Sequence, residues 1–335
     1  MRLNNSMKRA LIYFLLVLVL LLSVAASTCI GTVRIPLPRL FKIFMTISEP
    51  GLYRTDRLII LSLRFPRAVE AAMVGMALAT VGACFQGLLK NPMADPYVLG
   101  ISSGAAVGAT VAIVAGLGLI ATNILAFLMA ILTVFAVYIM AKKGSRIDMT
   151  AMLLAGIAIS AFLSSVISFL MLLNHQEMSR IVFWTMGGFS YVTWQQIVVS
   201  AAVILPSSIV MYFYSWDLNA LLTGEESAYH LGVNVEKTKR VLLMLGSIIT
   251  AAAVSVSGII GFVGLIVPHT VRLITGPDHR FLIPCSAISG GIFLIWADTL
   301  SRLVLSPAEV PVGIITSAVG GPFFLYLLVK NRRTQ

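Results

Sequence analysis

VLLMLGSIITAAAVSVSGIIGFVGLIVPHTVRLIT, residues 241–275, decides the fold of this chain. It carries one charge, Arg272, and is apolar on every helical face, which suits burial in lipid or a large core rather than one side turned to water. Gly258, Gly261, Gly264 and Pro268 divide it into two short spans, about 241–257 and 260–275. A bilayer tolerates such breaks only where protein or a water-filled cavity covers the freed backbone groups.

The same composition continues in both directions. Apolar runs near 10–31, 68–89, 96–115, 121–141, 149–173, 193–214, 281–300 and 311–329 are long enough to cross a membrane. The expectation is an all-α polytopic membrane protein of ten transmembrane helices, a single transmembrane domain over 1–335. Hydrophobic residues make up 59% of the chain and charged residues 11%, against about 25% charged in soluble domains. One large soluble core is excluded.

Cys29, Cys84 and Cys285 lie in apolar runs without CxxC spacing and read as small packing residues. AASTC (25–29) resembles a lipoprotein cleavage site, but Thr28 fits it poorly and the preceding run is long for a signal peptide, so a retained first span is expected. The net charge of +11 is spread over many connections, which argues against nucleic-acid binding and for membrane topology.

With the N-terminus in the cytoplasm, the inner segments hold Arg2, Lys8, Arg9, Lys90, Lys142, Lys143, Arg146, Lys237, Lys239, Arg240, Arg272, Arg280, Lys330, Arg332 and Arg333. The exception is one outer loop with Arg34, Arg39, Lys42, Arg54, Arg57, Arg64 and Arg67. It is either a basic loop without further meaning or a surface for an acidic partner. Arg64 and Arg67 flank Pro66 at the mouth of the second span, and Arg302 falls on the same side. Three guanidiniums there would receive carboxylates, which arginine binds bidentately.

GMALATVGACFQGLL (75–89), GISSGAAVGATVAIVAG (100–116) and AVSVSGIIGFVG (253–264) place small residues three and four apart, the pattern of closely packed membrane helices. These helices either simply pack tightly or also line a wide pathway. Residues 75–104 and 248–276 share an outline of small-residue helix, glycines and proline, which suits an inverted repeat.

No GxxxxGK[ST], HExxH or Cys/His cluster occurs, and His175, His230, His269 and His279 read as loop or helix-end residues. Glu70 lies near Arg67, and Asp298 can pair with Arg302 four residues on. No central set of buried charges offers an ion relay, so the driving energy is expected from elsewhere.

WDLNALLTGEESAYHLGVNVEKTKR (216–240) interrupts this apolar chain. It fits two short helices, the first capped by Asp217, the second started around Thr223–Glu226 and stopped by Gly232. It is either an ordinary cytoplasmic loop or a surface helix that takes a push from a soluble partner.

SLRFPRAVEAAMVGMALATVGACFQGLLKNPMADPYVLGISSGA (62–105), MLLAGIAIS (152–160), FWTMGGFSYVTW (183–194), ESAYHLGVNV (226–235), SGIIGFVGLIVPHTVRLITGPDHR (257–280) and WADTLSRLVLSPAEVPVGIITSAVGGPFFLYLL (296–328) together resemble the permease subunits of type II ATP-binding-cassette importers, which take up iron–siderophores, haem and cobalamin. The resemblance implies ten helices and a dimer of permeases in a bacterial or archaeal cytoplasmic membrane, both termini inside. Two cytoplasmic ATPases would bind the ATP and magnesium, with no cofactor in this chain, and a solute-binding protein would dock outside.

It further implies docking of that protein on Arg64, Arg67 and Arg302. Coupling to the ATPase falls to about 216–236, with Leu218, Glu225, Glu226, Leu231, Gly232 and Val233. A cytoplasmic gate would lie at Asn91, Pro92 and Met93, with a second element near Thr150. The path would run between two copies, lined by span five and parts of spans three, eight and ten. Glu70 departs from the family's small or apolar residue, and facing Arg67 it would weaken or tune that arginine. The cargo implied first is an iron–siderophore, with haem or cobalamin as alternatives. An ion-coupled secondary transporter and a membrane-embedded enzyme are the readings from other classes.

Overall fold

The computed structural model describes residues 5–31, 33, 35–45, 54–144 and 146–332. Arg2, Arg34 and Arg333 of the topology argument lie outside them. The chain is helical almost throughout. Among the described residues, seven helices are long and apolar enough to cross a membrane, and three shorter apolar helices complete the ten expected segments.

Helix α1 spans Asn5–Cys29 and is followed by a short helix α2, Leu37–Met45. Helix α3 (Arg54–Leu58) runs through a π-turn at Ile59–Arg64 into α4, Phe65–Leu88. The second span is therefore longer than the sequence suggests. Pro66 lies inside this continuous rod, and the Leu61 carbonyl that its missing N–H would leave unpaired accepts instead from the Trp194 indole at 3.1 Å. Much of the expected basic loop is thus helical, because Arg54–Arg64 extends the same rod.

Next come α5 (Ile101–Val114), α6 (Leu119–Ala141) and a small hairpin that pairs β1 (Lys142–Lys143) with β2 (Arg146–Ile147). Helix α7 (Met149–Leu173) is capped by Asp148, and a short α8 (Met178–Thr185) follows. Helix α9 (Trp194–Phe213) opens with a reciprocal capping box between Thr193 and Gln196. The polar segment forms α10 (Ser215–Leu222) and α11 (Glu225–His230). Then follow α12 (Val235–Ser257), α13 (Val263–Thr275), α14 (His279–Leu303) and α15 (Val312–Arg332).

The core is built around α4. In its most apolar stretch 89% of residues are buried, against 11% in α1 and 6% in α7, so α4 is the central post and α1 and α7 are peripheral. Small residues make this possible. A Cβ on Gly75 would strike the Gly290 carbonyl of α14, and one on Gly82 would strike the Gly264 carbonyl of α13. The stripe read from GMALATVGACFQGLL is a backbone-to-backbone seam.

Helices α5 and α13 have 14 and 13 residues, about 20 Å each and too short to span alone. Each follows a break: Pro96–Leu99 precedes α5 as a 3-10 turn, and Gly258–Phe262 precedes α13. The two breaks touch through Tyr97 and Ile260. Buried protein thus covers the irregular backbone, as the glycine-broken sequence requires.

Candidate functional site

Three places on the chain carry polar organisation. The first is the end at which α1 finishes and α4 begins. The sequence brings Arg64, Arg67 and Arg302 together here, and the fold does so, but none stands free. Each is only 8% exposed.

Arg64 donates to the carbonyls of Thr28 (3.3 Å), Cys29 (3.2 Å) and Val33 (2.7 Å). Arg302 donates to the carbonyls of Ser27 (3.2 Å) and Ile30 (3.3 Å) and to the Ser27 hydroxyl (2.8 Å). Both therefore cap the C-terminus of α1, whose last carbonyls have no helical partners and carry the negative end of the dipole. Gly31 lets Arg64 approach, since a Cβ there would overlap the guanidinium.

Arg67 is held from two sides. Its Nε and Nη2 reach the carboxylate of Asp298 at 2.9 and 2.8 Å, and Nη1 reaches Glu309 at 2.8 Å. Asp298 is fully buried and also lies 3.3 Å from Arg302 Nε, an ion pair without hydrogen-bond alignment. The i,i+4 pairing of Asp298 with Arg302 holds, but Arg67 is the stronger partner. Three exposed receptors are thus corrected to a buried network with one accessible edge, at Glu309.

Glu70 does not face Arg67. It lies against the Ser200 hydroxyl of α9 at 3.2 Å, because its side chain leaves α4 on another side. Arg67 and Glu309 also border a cavity of about 640 Å³, walled by Trp184, Tyr191, Val256 and Pro311. Glu309 was not singled out from sequence, and no local pattern ties it to a residue 242 positions away.

The second place is the polar segment at the opposite end. Gly232 (φ +84°) ends α11 with two reverse bonds, Gly232 N–H to the Tyr229 carbonyl and Val233 N–H to the Ala228 carbonyl. That is the Schellman stop read from the sequence. Glu225, Glu226, Leu231 and Gly232 are exposed, with Leu231 71% open, and Val233 is half-buried.

Leu218 belongs elsewhere. It is fully buried, since α10 turns that face, with Leu221, onto the core. Asp217 is not the cap of α10, which begins two residues earlier at Ser215; its carboxylate instead accepts from Thr238 of α12 at 3.0 Å. Lys239 of α12, buried, pairs with Glu225 at 2.8 Å. The segment is bolted to the core along one side and open along the other.

Asn219 is the unforeseen member. Its Oδ1 accepts from the His279 backbone at 2.9 Å and sits 2.8 Å from His279 Nδ1, and its Nδ2 donates to Asp278 at 2.8 Å. A carbonyl oxygen can only accept, so Nδ1 carries the hydrogen. His279 is fully buried against Gly87, where a Cβ would overlap its ring. Hydrogen bonds from Arg280 hold the Asp278 carboxyl well below the usual range, so it stays ionised. His269 lies inside α13, not at a helix end.

The third place follows Gly87 by four residues. Asn91, Pro92 and Met93 form a tight turn in which Asn91 Oδ1 accepts from the Met93 amide at 2.9 Å. Asn91 and Pro92 are exposed. Thr150 is exposed in the first turn of α7, its amide bound to Asp148.

Residues 16–330 match the model of the FecCD transport family. The chain is 45% identical to the cobalamin import system permease protein BtuC of Halobacterium salinarum, over 88% of this chain and 79% of that one. It is 37% identical to the hemin transport system permease protein HmuU of Yersinia pestis, over 98% and 97%. A solved inward-facing ABC transporter assigned to the metal-chelate type superposes with a TM-score of 0.85 at 30% identity, covering 95% of this chain and 99% of that one. A match over nearly the whole length, with ten apolar helices in the same arrangement, leaves one conclusion: this multi-pass membrane chain belongs to the FecCD transport family and is a permease subunit of an ABC importer.

Proposed function

We propose that this permease forms, with a second copy or a related chain, the passage for a bulky metal chelate, and that the cargo is a corrinoid of the cobalamin type. The observation that carries the cargo is the 45% identity to one cobalamin permease; three further vitamin B12 permeases, at 34–36%, lie below the 37% to a hemin permease, which makes haem the second reading. The iron–siderophore implied by the sequence gives way to the corrinoid on the match to that one cobalamin permease alone.

ATP and magnesium bind to partner ATPases at the end carrying α10 and α11, which has an exposed apolar and acidic edge at Leu231, Glu225 and Glu226. A solute-binding protein delivers cargo at the opposite end, where an incoming carboxylate exchanges with Glu309 on Arg67. Both termini are cytoplasmic in this reading. The nearly unburied face of α7, with Ile157, Phe162 and Phe169 exposed, supports a path or interface between copies.

The test is uptake into vesicles holding the permease, its ATPase and its binding protein. ATP-dependent accumulation of cyanocobalamin, in preference to hemin or a ferric siderophore, is expected. Preference for either of the others overturns the cargo, and accumulation by the permease alone under an ion gradient overturns the importer mechanism.

A further inference from the structure

We propose that the cavity bordered by Arg67 and Glu309 is a socket for a loop tip of the solute-binding protein, one that carries an aromatic side chain next to a carboxylate. This rests on the docking proposed above for that end, and names what enters there. The cavity, of about 640 Å³, has α8 as one wall. Its floor is backbone. Gly188 N–H donates to the Ser257 carbonyl at the end of α12 at 2.8 Å, and Val312 N–H of α15 donates to the Gly187 carbonyl at 2.9 Å. Gly187 and Gly258 are both left-handed, with φ +69° and +67°, and a Cβ on Gly258 would strike the Trp184 carbonyl. A hollow framed by hydrogen bonds between three segments is preformed, so filling it costs little ordering.

Two large aromatics line it and stand open: Tyr191 is 82% and Phe183 58% exposed. Trp184, Ile113, Val256 and Pro311 add apolar wall. A Cβ on Gly188 would meet no atom within 4 Å, so the hollow reaches down to that backbone. Open aromatics around a preformed hollow with a polar rim are where protein interfaces place their anchor residues. Charge decides what sits beside the anchor. Arg180 pairs with Glu177 at 2.8 Å, and Arg67 is shared by buried Asp298 and by Glu309. Of the acids on Arg67 only Glu309 is open enough to leave, its side chain 41% exposed. A partner carboxylate that takes its place exchanges charge for charge, and the residue next to that carboxylate then faces the hollow.

The experiment uses the permease–ATPase complex in nanodiscs with its solute-binding protein, affinity being read by surface plasmon resonance and uptake in vesicles. Gly188→Phe fills the hollow from a backbone that is not left-handed, and Tyr191→Ala removes an exposed wall. Both variants should melt as wild type does. Affinity for the solute-binding protein should fall about tenfold in Gly188→Phe and about threefold in Tyr191→Ala. Should Gly188→Phe melt lower, Tyr191→Ala decides alone. Unchanged affinity in the folded variants overturns the socket, and a fall in uptake at unchanged affinity overturns it in favour of the cargo as occupant. A wild type that does not bind the solute-binding protein at all overturns the docking reading beneath, and the socket with it.

Discussion

The Tyr97 hydroxyl meets both backbone groups of Ile260, donating to its carbonyl at 3.0 Å and accepting from its amide at 3.3 Å. One side chain thereby ties the two breaks from which the half-length helices α5 and α13 start. In a helix or strand those groups would pair with other backbone groups; here the broken segment needs a side chain as partner.

Tyr97→Phe keeps the ring and removes that partner. Leaving buried backbone groups unpaired costs about 1–3 kcal/mol. The melting temperature in a fixed detergent or nanodisc should fall, and an unchanged value would mean the break is satisfied by other groups.

Asp298 and Glu309 share Arg67 but should differ sharply on mutation. Asp298→Ala takes the carboxylate from buried Arg302 and leaves Arg67 with Glu309 alone, and should destabilise by about 3–5 kcal/mol. Glu309 is 41% exposed at its side chain, so Glu309→Gln should cost about 1 kcal/mol or less. Binding of the cognate solute-binding protein should tighten in Glu309→Gln, because the internal competitor is gone; weaker binding there would remove Arg67 from the docking surface.

Gly82→Ala places a methyl group against the Gly264 carbonyl. The α4–α13 seam must open, at a cost of about 1–3 kcal/mol. Gly116→Ala is no control, since its backbone is left-handed; Gly118→Ala, with open space around it and φ −71°, is. The first should melt lower than the second.

Asn219→Ala cuts the three contacts that join α10 to the start of α14. With the ATPase bound, uptake per ATP hydrolysed should fall about fivefold or more, the scale of ordinary coupling energies. Gly232→Val should act in the same direction, by forcing a branched side chain into a left-handed backbone at about 1–2 kcal/mol. Unchanged ratios in both would detach the polar segment from energy coupling. Acidity should not reproduce these effects near neutrality. The folded pKa of Asp278 is depressed, so the stability it contributes is present above the unfolded value of about 3.9 and is lost only as pH falls through the folded value.

The local features were legible because they rest on local physics. Span boundaries follow apolar runs, and the stop at Gly232 follows from what glycine alone tolerates. The small-residue seam was readable as a seam, though not which helices it joins. The arginines at the mouth were found, yet their availability was misjudged. Arg64 and Arg302 look like free cations in a sequence, and become caps only once α1 ends beside them.

The sequence by itself determined that this is a ten-segment membrane chain with a break at Gly258–Gly264 and one polar excursion, since hydrophobicity and backbone freedom act over a few residues; the structure makes the expected short span 241–257 a full helix, α12, and shortens α5 instead. Only the tertiary structure decided which charges meet. Arg67 finds Asp298 and Glu309 across 231 and 242 residues, and Asn219 finds His279 across 60. Ion pairs and hydrogen bonds depend on a few ångströms of distance, which helix packing sets and no sequence spacing reveals.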